Sequence, residues 1–323
     1  LGRRKLAGDA EACPCDLTPA WHAKTGKLLM TGHTANYHRG ARGGLILDKT
    51  LTRDTSYSVY DPGKREWSEW KTLRLPDREH LFWAMAGCTQ RVDLPDGDIL
   101  LPLYCLDRKS VVGDNFWKRC MFATVARCAF DGTELRYLEH GDELSVADPR
   151  GFCEPSLTRF GDRFYLTLRN DVKGYVAAGR DGMHFDKPVP WVFDDGRELG
   201  SYNTQQHWVT HSDGLFLVYT RRGAGNDHVM RHRAPLWIAQ VDPVRLCVLR
   251  DTERELVPNH GAQLGNFGAV AASKDESWVV TSEHMQGDAK KPLDLERTEK
   301  RGANARVYLA RIRWDRPNGL VAW

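Results

Sequence analysis

The sequence predicts an all-β protein built from repeated antiparallel strands, and three observations support this fold class. The 323 residues include 11 Trp, 10 Tyr, 11 Phe, 29 Gly and 15 Pro, a composition typical of strands joined by tight turns. A unit of apolar strands separated by Gly or Asp turns recurs roughly every 50 to 65 residues. Stretches with the period of an amphipathic helix are hard to find.

In each repeat, two apolar strands flank a short turn and a third apolar strand follows, which is the pattern of antiparallel β-hairpins. The predicted first strands are TPAWHAKTG (18–26), CTQRVDLPDG (88–97), CEPSLTRFGD (153–162), TQQHWVTHSDG (204–214) and NFGAVAASKDE (266–276). The second strands are KLLMTGHT (27–34), DILLPLYC (98–105), RFYLTLRN (163–170), LFLVYTRR (215–222) and SWVVTSEH (277–284). The third strands are TSYSVYD (55–61), ATVARCAFDG (123–132), GYVAAGRDG (174–182), APLWIAQVD (234–242) and RVYLARIRW (306–314).

Five readable repeats predict a β-propeller, because each blade buries its faces against its neighbours around a ring. Two unrelated β domains would not explain the shared register, so we expect one propeller domain over residues 1–323. The alternative is a larger propeller, either with blades that precede this sequence or with two blades read here as one.

Bulk properties exclude several function classes. The net charge is +3 from 46 basic and 43 acidic residues and no dense basic stripe is present, so nucleic acid is not the expected partner. No stretch of 18 apolar residues predicts a membrane span. The chain begins at Leu1, and we expect a secreted or periplasmic protein whose signal lies outside this sequence. The eight Cys residues fit buried free thiols, with one or two disulfides as the alternative in an exported protein.

Polar residues end the second strands at one shared position, five residues after the first apolar residue of each strand. These residues are His33, Tyr104, Arg169, Thr220 followed by Arg221 and Arg222, and Glu283. A count back from the turns places Gln90, Glu154, Gln206 and Asn266 near the starts of the first strands. Because the first strand of a propeller blade is innermost, both sets are expected at one mouth of the central channel.

The residue types in this ring favour binding over simple solvation. His, Tyr, Arg, Glu and Gln form directed hydrogen bonds to hydroxyls and carboxylates, although a single Gln or Arg at a strand end is often a solvated residue. Arg169, Arg221 and Arg222 predict a clamp for an anion such as a carboxylated sugar. His33 is the candidate for proton transfer near pH 7.

Further candidates each have a structural alternative. Glu154 is either a catalytic carboxylate or the partner of an Arg, and His207 is either catalytic or a packed core residue. Tyr202 and Tyr219 are either proton donors or stacking surfaces, and His228 and Arg231 lie in a basic loop expected to overhang the channel. A glycosidase with paired carboxylates would use Glu154 and Glu283. The His residues lack zinc spacing. No cofactor is required, and a structural calcium ion held by backbone carbonyls would leave little trace in the sequence.

Four segments resemble the sialidase-like propellers often described as exo-alpha-sialidase or BNR-repeat proteins. They are EPSLTRFGDRFYLTLRND (154–171), GYVAAGRDGMHFDKP (174–188), SYNTQQHW (201–208) and RHRAPLWIAQVD (231–242). Turns at VYDPGKREW (59–67) and GRDGMHF (179–185) approach the family's Asp-box without matching it. The resemblance covers most of the chain from about residue 16 and is strongest to enzymes that remove rhamnose from glucuronate caps, and weaker to ulvan lyases.

This resemblance implies a propeller in which six or seven blades would also fit, and action on a glycan that carries a uronic acid. In such lyases an Arg neutralises the carboxylate while His or Tyr moves the proton, and in the hydrolase relatives a His is implied to carry catalysis. Arg169, Arg222, Tyr202 and His33 are the residues that would fill these roles. The early Arg-Ile-Pro motif of true sialidases is absent, which argues against sialic acid as the substrate. The alternatives are a sialidase-like exo-glycosidase of other specificity and a catalytically silent glycan-binding propeller.

Overall fold

The structure is a computed structural model that describes residues 1–39, 44–47, 49–111, 119–285 and 295–321. Strands dominate these residues, together with three short 3-10 helices at Arg108–Ser110, Met230–His232 and Arg250–Thr252 and one α-helix, α1, at Glu296–Glu299. The described residues form five groups of antiparallel strands, as the five repeats predicted. Each group has the hairpin order of a propeller blade.

The first two groups belong to one sheet with the order β1-β2-β3-β4-β7-β9-β10-β11. Its strands are β1 (Arg4–Lys5), β2 (Ala10–His22), β3 (Lys27–His38), β4 (Arg53–Asp61), β5 (Glu66–Trp67), β6 (Lys71–Thr72), β7 (Trp83–Met85), β8 (Val92–Asp93), β9 (Ile99–Leu106), β10 (Phe122–Phe130) and β11 (Leu135–His140). The two groups meet where β4 and β7 pair in parallel. All eight residues of β9 are buried, in keeping with its unbroken apolar run.

Three more sheets follow in chain order. The third contains β12 (Cys153–Phe160), β13 (Arg163–Arg169), β14 (Tyr175–Gly179) and β15 (Val189–Pro190). The fourth contains β16 (His207–His211), β17 (Gly214–Tyr219), β18 (Leu236–Asp242), β19 (Cys247–Val248) and β20 (Arg254–Val257). The fifth contains β21 (Gln263–Leu264), β22 (Gly268–Ala271), β23 (Glu276–His284) and β24 (Val307–Arg313). Burial alternates along β23, so one face of this sheet packs inward and the other is open.

The chain divides into two compact units. The first comprises residues 1–157 and 179–186, and the second comprises residues 158–178 and 187–323. The core of the first unit includes Leu29, Leu101 and Ala126, and that of the second includes Trp191, Leu217 and Val248. The single domain expected over residues 1–323 stays a prediction.

The first strand of the second repeat differs from its prediction. Residues 88–97 contribute only the two-residue strand β8, and the inner pairing is made by β7, which ends before Cys88. Cys88 has a left-handed backbone with φ 55°, and such a residue turns the chain out of an extended path. β17 also ends earlier than predicted, at Tyr219, so Arg221 and Arg222 follow the strand rather than ending it.

An Asp turn follows the third strand in four of the repeats. Asp61, Asp131, Asp181 and Asp242 each accept, at Oδ1, hydrogen bonds from the backbone N–H groups two and three residues ahead. The turns at Asp61 and Asp181 are the two that resemble Asp-boxes in sequence. The repeat is therefore preserved in turn geometry as well as in strand spacing.

All eight cysteines are free thiols in the structure, and Cys88, Cys105, Cys128, Cys153 and Cys247 are buried. This agrees with the expectation of buried thiols for these five positions. Cys120 is exposed, and Cys13 and Cys15 are half-buried.

Candidate active site

The predicted site residues are divided between the two units. Those in the first unit are His33, Gln90, Tyr104 and Glu154, and those in the second are Arg169, Tyr202, Gln206, His207, Tyr219, Arg221, Arg222, His228, Arg231 and Glu283. Each unit therefore carries its own set of candidate side chains.

His33 lies on β3 in a buried pair with Arg53, the first residue of β4. Arg53 Nη2 donates to His33 Nε2 at 2.9 Å, and its Nε donates to the carbonyl of Thr34 at 3.3 Å. Because a guanidinium can only donate, His33 Nε2 must be the acceptor and the ring proton must sit on Nδ1. Burial and the Arg53 charge hold the pKa of His33 well below its usual value. The expected imidazole that titrates near pH 7 is therefore corrected to one that is neutral there.

The other ring nitrogen of His33 faces Tyr104 and Asp16. Nδ1 lies 3.4 Å from Tyr104 Oη and 3.9 Å from Asp16 Oδ2. Burial raises the pKa of Tyr104 well above its usual value, and the charges of Glu154 and Asp16 raise it further. Tyr104 thus keeps its proton at neutral pH and has two carboxylates close enough to act on it.

Three non-glycine residues around Tyr104 adopt left-handed backbone. Asp16 has φ 51°, Cys88 has φ 55° and Glu154 has φ 42°, and the charge of each contributes to the raised pKa of Tyr104. Left-handed conformations of such residues cost on the order of 1–3 kcal/mol each and are concentrated at functional sites. This makes Asp16, Tyr104 and Glu154 the candidate chemical group of the first unit.

Sequence reasoning missed Asp16, although a signal for it was present. A Cys–acid pair opens the first strand region in two repeats, as Cys15–Asp16 and as Cys153–Glu154. The register count began from the second strands and passed over Asp16, which lies at a bulge between Cys15 and Thr18 in the pairing of β2 with β3.

Gln90 is tied to β12, the strand that carries Glu154, by its backbone. Its N–H donates to Ser156 Oγ at 3.3 Å, and its carbonyl accepts from the N–H of Leu157 at 3.0 Å. These contacts give Gln90 a structural part in holding β12 beside the turn after β7. A role in substrate binding stays a prediction.

In the second unit, Tyr202 begins a chain of polar contacts. Its Oη lies 2.5 Å from His232 Nδ1, and His232 Nε2 lies 3.2 Å from Asp227 Oδ1. If the Tyr202 hydroxyl donates, His232 accepts at Nδ1 and donates from Nε2 to the carboxylate. This is the order of groups that activates a hydroxyl in acid–base chemistry.

Three guanidinium groups surround this phenol. Burial raises the pKa of Tyr202, whereas the charges of Arg222, Arg231 and Arg233 lower it. The Arg222 guanidinium lies 4.1 Å from the centre of the Tyr202 ring, and its Nη2 donates to the carbonyl of Val172 at 2.8 Å. Arg231 and His232 both have left-handed backbone. Together, Tyr202, His232, Arg222, Arg231 and Arg233 form the Tyr202 cluster.

Arg169 adjoins the Tyr202 cluster through Asn203. Arg169 Nη2 donates to Asn203 Oδ1 at 3.1 Å and lies 3.4 Å from Asp171. Arg233 donates to the carbonyl of Asn203 at 2.7 Å from Nη2. Asn203 therefore links two buried cations, and no sequence signal beyond the loop composition pointed to it.

Arg221 does not join Arg222 in a forked clamp. It forms a two-point ion pair with Glu253, with Nε to Oε1 at 2.8 Å and Nη2 to Oε2 at 2.7 Å. Tyr219 also donates to Glu253, at 2.6 Å. These contacts correct the predicted clamp, because Arg221 and Arg222 lie beyond the end of β17, where side chains follow the loop.

Gln206 and His207 are interior residues. Gln206 accepts from Thr167 Oγ1 at 2.8 Å and donates to the carbonyl of Thr204 at 3.3 Å. His207 is only 1% exposed and packs edge-on against Phe267 with ring centres 5.0 Å apart. Of the two interpretations of His207, this geometry favours the packed core residue.

Glu283 is held by donors of its own unit. Its Oε2 accepts from the N–H groups of Asn304 and Arg306, and its Oε1 accepts from the Tyr308 hydroxyl at 2.8 Å. Burial opposes its charge, yet these hydrogen bonds leave its pKa below the usual value. The geometry favours a structural carboxylate over the second acid of a glycosidase pair.

His228 is exposed and lies in the basic loop, where its Nε2 accepts from Asn259 at 3.2 Å. Among the described residues, no group of three or more His, Cys, Asp or Glu side chains is arranged to hold a metal ion. None of the helices in that part of the chain has the length and apolar character needed to cross a membrane.

Comparisons with known proteins identify the fold. No protein-family model and no curated protein matches the sequence. An α-L-arabinofuranosidase from Lactobacillus brevis is similar over 95% of this chain and 93% of its own, at 11% identity and a TM-score of 0.53. Trypanosoma rangeli sialidase in complex with sialic acid is similar over 94% of this chain, at 12% identity and a TM-score of 0.51.

This chain spans 44% of the length of that sialidase chain, so the match extends over less than half of the larger protein. The likeness shows a shared fold and leaves the activity to be argued from the residues. The chain has the all-β fold of a sialidase-like β-propeller.

Proposed function

We propose that this protein acts on a glycan that carries a uronic acid and releases the terminal sugar linked to that acid. The observation that carries the proposal is the Tyr202 cluster, in which the Arg222 guanidinium lies 4.1 Å from the centre of the Tyr202 ring, and Arg231 and Arg233 flank the His232 that contacts the Tyr202 hydroxyl. Cations gathered around one point favour an anionic ligand, and guanidinium binds a carboxylate through two parallel hydrogen bonds. A uronate supplies such a carboxylate.

The Tyr202 cluster supports elimination as the reaction. In this step a base removes the proton at C5 of the uronate, the bond from C4 to the leaving oxygen breaks, a C4–C5 double bond forms, and the leaving oxygen takes up a proton. Tyr202 and His232 are the proposed acid–base pair, and Arg222 with Arg231 neutralises the carboxylate so that the C5 proton is more acidic.

Hydrolysis is the second candidate reaction. It is favoured by the two carboxylates of the first unit, Asp16 and Glu154, whose backbone is left-handed. Asp16 and Glu154 both act on the pKa of Tyr104, and a hydrolase with two carboxylates uses one as the acid and the other as base or nucleophile. The choice of a glycan as substrate extends to this chain from the sialidase and the arabinofuranosidase of similar fold. We propose a secreted or periplasmic setting.

The test uses rhamnose-capped arabinogalactan and ulvan as substrates and compares Tyr202→Phe with Glu154→Gln. Elimination forms an unsaturated uronate that absorbs ultraviolet light, so absorbance and released sugar are both recorded. We expect new absorbance with the wild-type protein and a loss of about a hundredfold or more in Tyr202→Phe, since acid–base groups contribute about 10²–10⁴-fold. Glu154→Gln should retain this product. Tyr60→Phe, on β4 in the first unit, is the matched control.

Free sugar without new absorbance, abolished by Glu154→Gln and kept by Tyr202→Phe, would select hydrolysis. Binding of the glycan without either product would contradict both reactions and leave a glycan-binding propeller.

A further inference from the structure

A second basic site lies in the first unit, apart from Tyr104 and its carboxylates. A cavity of about 470 Å³ has four basic side chains in its wall, Arg4, Lys71, Arg74 and Arg136, and one acidic side chain, Glu134. Its volume falls within the range of about 300–1,000 Å³ that is typical of small-molecule sites.

The sheet brings these residues together from distant parts of the chain. Lys71 on β6 is paired directly with Tyr57 on β4, so their side chains share one face. Arg136 is on the outer strand β11, where it pairs with Ala129 of β10. The turn between β10 and β11 supplies Glu134. The lining residues on β1, β4, β6 and β11 therefore all belong to the sheet that contains the first two strand groups.

Glu134 in the wall and Asp131, whose pKa the charge of Arg136 helps to lower, offset only part of the positive charge of the cavity. Among the described residues, none forms an ion pair with Lys71, Arg74 or Arg136 within 4.0 Å. Arg4 donates to the carbonyl of Trp70 at 2.8 Å and lies 3.8 Å from the centre of its ring. These contacts fix Arg4 in place without neutralising it.

Two tyrosines, Tyr57 and Tyr137, also line the cavity. Tyr57 is buried and belongs to the core of the unit, and Tyr137 donates to or accepts from His140 Nδ1 at 2.7 Å. Cations beside the half-buried ring of Tyr137 are a combination suited to a sugar that carries an anionic group, because the ring offers an apolar face and the cations offer charge-assisted hydrogen bonds.

We infer that this cavity is a second binding site for an anionic glycan, one that holds a carboxylate or sulfate group of the glycan chain. The choice of a glycan as the ligand rests on the proposed function, whereas the anion-binding character rests on the four basic residues of the wall. Such a site would retain a long polyanionic chain and would add little to the cleavage of a short substrate.

The experiment measures the number of sites and their affinity by calorimetric titration with trigalacturonate, with cellotriose as the neutral probe. We expect the wild-type protein to bind two equivalents of trigalacturonate and no cellotriose. The double variant Arg74→Gln/Arg136→Gln should lose one equivalent, its affinity falling by about tenfold or more for each guanidinium removed. Arg222→Gln should lose the other.

Arg180→Gln is the matched control, since Arg180 is exposed in the same unit and has no ion pair with a described residue. Inorganic sulfate should compete for the site that remains in Arg222→Gln, and its affinity should fall as the salt concentration rises. Thermal unfolding confirms that each variant is folded.

The outcomes separate the two proposals. If Arg222→Gln loses an equivalent and Arg74→Gln/Arg136→Gln loses none, the cavity is not a binding site and the Tyr202 cluster stands. If the double variant alone loses an equivalent, the cavity binds the anion and the uronate assignment of the Tyr202 cluster fails. Binding of cellotriose as tightly as trigalacturonate would overturn the anionic character of the cavity.

Discussion

His33 and Arg53 lie side by side in the interior. His33 accepts a hydrogen bond from Arg53, and the charge of Arg53 helps to lower the pKa of His33. Arg53 is 6% exposed, it donates hydrogen bonds to His33 and to the Thr34 carbonyl, and the charge of Asp16 also favours its protonated form. A buried cation disfavours a second positive charge beside it. We therefore expect His33 to be a neutral hydrogen-bonding partner in the folded chain, and the proton transfer predicted for it stays a prediction.

The lowered pKa of His33 predicts a pH dependence of stability. The unfolded chain takes up a proton near pH 6.5, the ordinary value for His, and the folded chain resists it. The stability that His33 contributes is thus complete above pH 6.5 and is lost as the pH falls toward the lowered pKa. In His33→Asn, which keeps an acceptor for Arg53, the free energy of unfolding should fall less between about pH 7.5 and about pH 5, by about 2 kcal/mol.

Chemical denaturation at the two pH values measures this difference, and His228→Asn serves as the exposed control. Equal pH dependence of the wild-type protein and the His33→Asn variant would show that the pKa of His33 is the same in the folded and unfolded chains.

The His33 imidazole leaves no room for a side chain at position 87, so this residue must be glycine. A Cβ atom at this position would lie 2.2 Å from His33 Nδ1, closer than any non-bonded contact allows. Gly87→Ala should therefore displace His33 and lower the free energy of unfolding by about 1–3 kcal/mol. Gly268→Ala, on β22, is the matched control, because nothing lies within 4 Å of the position that its methyl group would take, and it should stay within about 0.5 kcal/mol of wild type. Equal stability of the two variants would mean that His33 has room to move.

At the scale of the elements, the Asp turns close the third strand of each of four repeats. Asp242 ends β18 and accepts from the N–H groups of Val244 and Arg245, both at 2.9 Å. Asp242→Ala leaves these donors to solvent and should lower the free energy of unfolding by about 0.5–1.5 kcal/mol. Asp242→Asn retains Oδ1 and should recover most of the loss.

Thermal or chemical unfolding of the two Asp242 variants measures this contribution, with Asp162→Ala as an exposed control in the same unit. A loss in Asp242→Asn as large as that in Asp242→Ala would assign the effect to the carboxylate charge rather than to the turn.

The second strands of the repeats were identified from the sequence, whereas the directions of side chains just beyond the strand ends were not. The apolar runs at β3, β9, β13, β17 and β23 were all identified, since an alternating or continuous run of this length has few other stable structures. The side chains just past a strand end follow the loop rather than the pleat. That is why Arg221 binds Glu253 and Arg222 lies over Tyr202, although the two residues are adjacent in sequence.

At the scale of the whole molecule, the repeat predicted the five strand groups and the all-β fold. The one first strand that does not form as predicted contains Cys88, whose left-handed backbone leaves no mark on hydrophobic periodicity. Amino-acid composition and the spacing of apolar residues indicate which residues are buried. They carry little information about where the backbone adopts a left-handed conformation.

The sequence predicted many of the residues in the candidate sites, but it did not predict which residues they contact. Tyr202, Arg222, Arg231, Tyr104 and Glu154 were all selected from the sequence, and each has a place in one of the two candidate groups. His232, Asp227, Asn203 and Asp16 complete those groups, and their roles depend on loop conformations and a strand bulge that a register count does not reach. The basic cavity was also missed, because Arg4 and Lys71 lie on two-residue strands and Arg74 and Glu134 lie outside strands, where no repeat can be read.

The left-handed backbone at Asp16, Cys88 and Glu154 has a consequence for anyone who wishes to make this protein more heat-tolerant. Glycine adopts that conformation freely, so these are the positions at which a single replacement would relieve the most strain. Asp16 and Glu154 also present the candidate carboxylates of the first unit, and glycine would delete them. A more stable variant made at these two positions would therefore lose the carboxylates proposed for hydrolysis, and an engineer would do better to begin elsewhere in the chain.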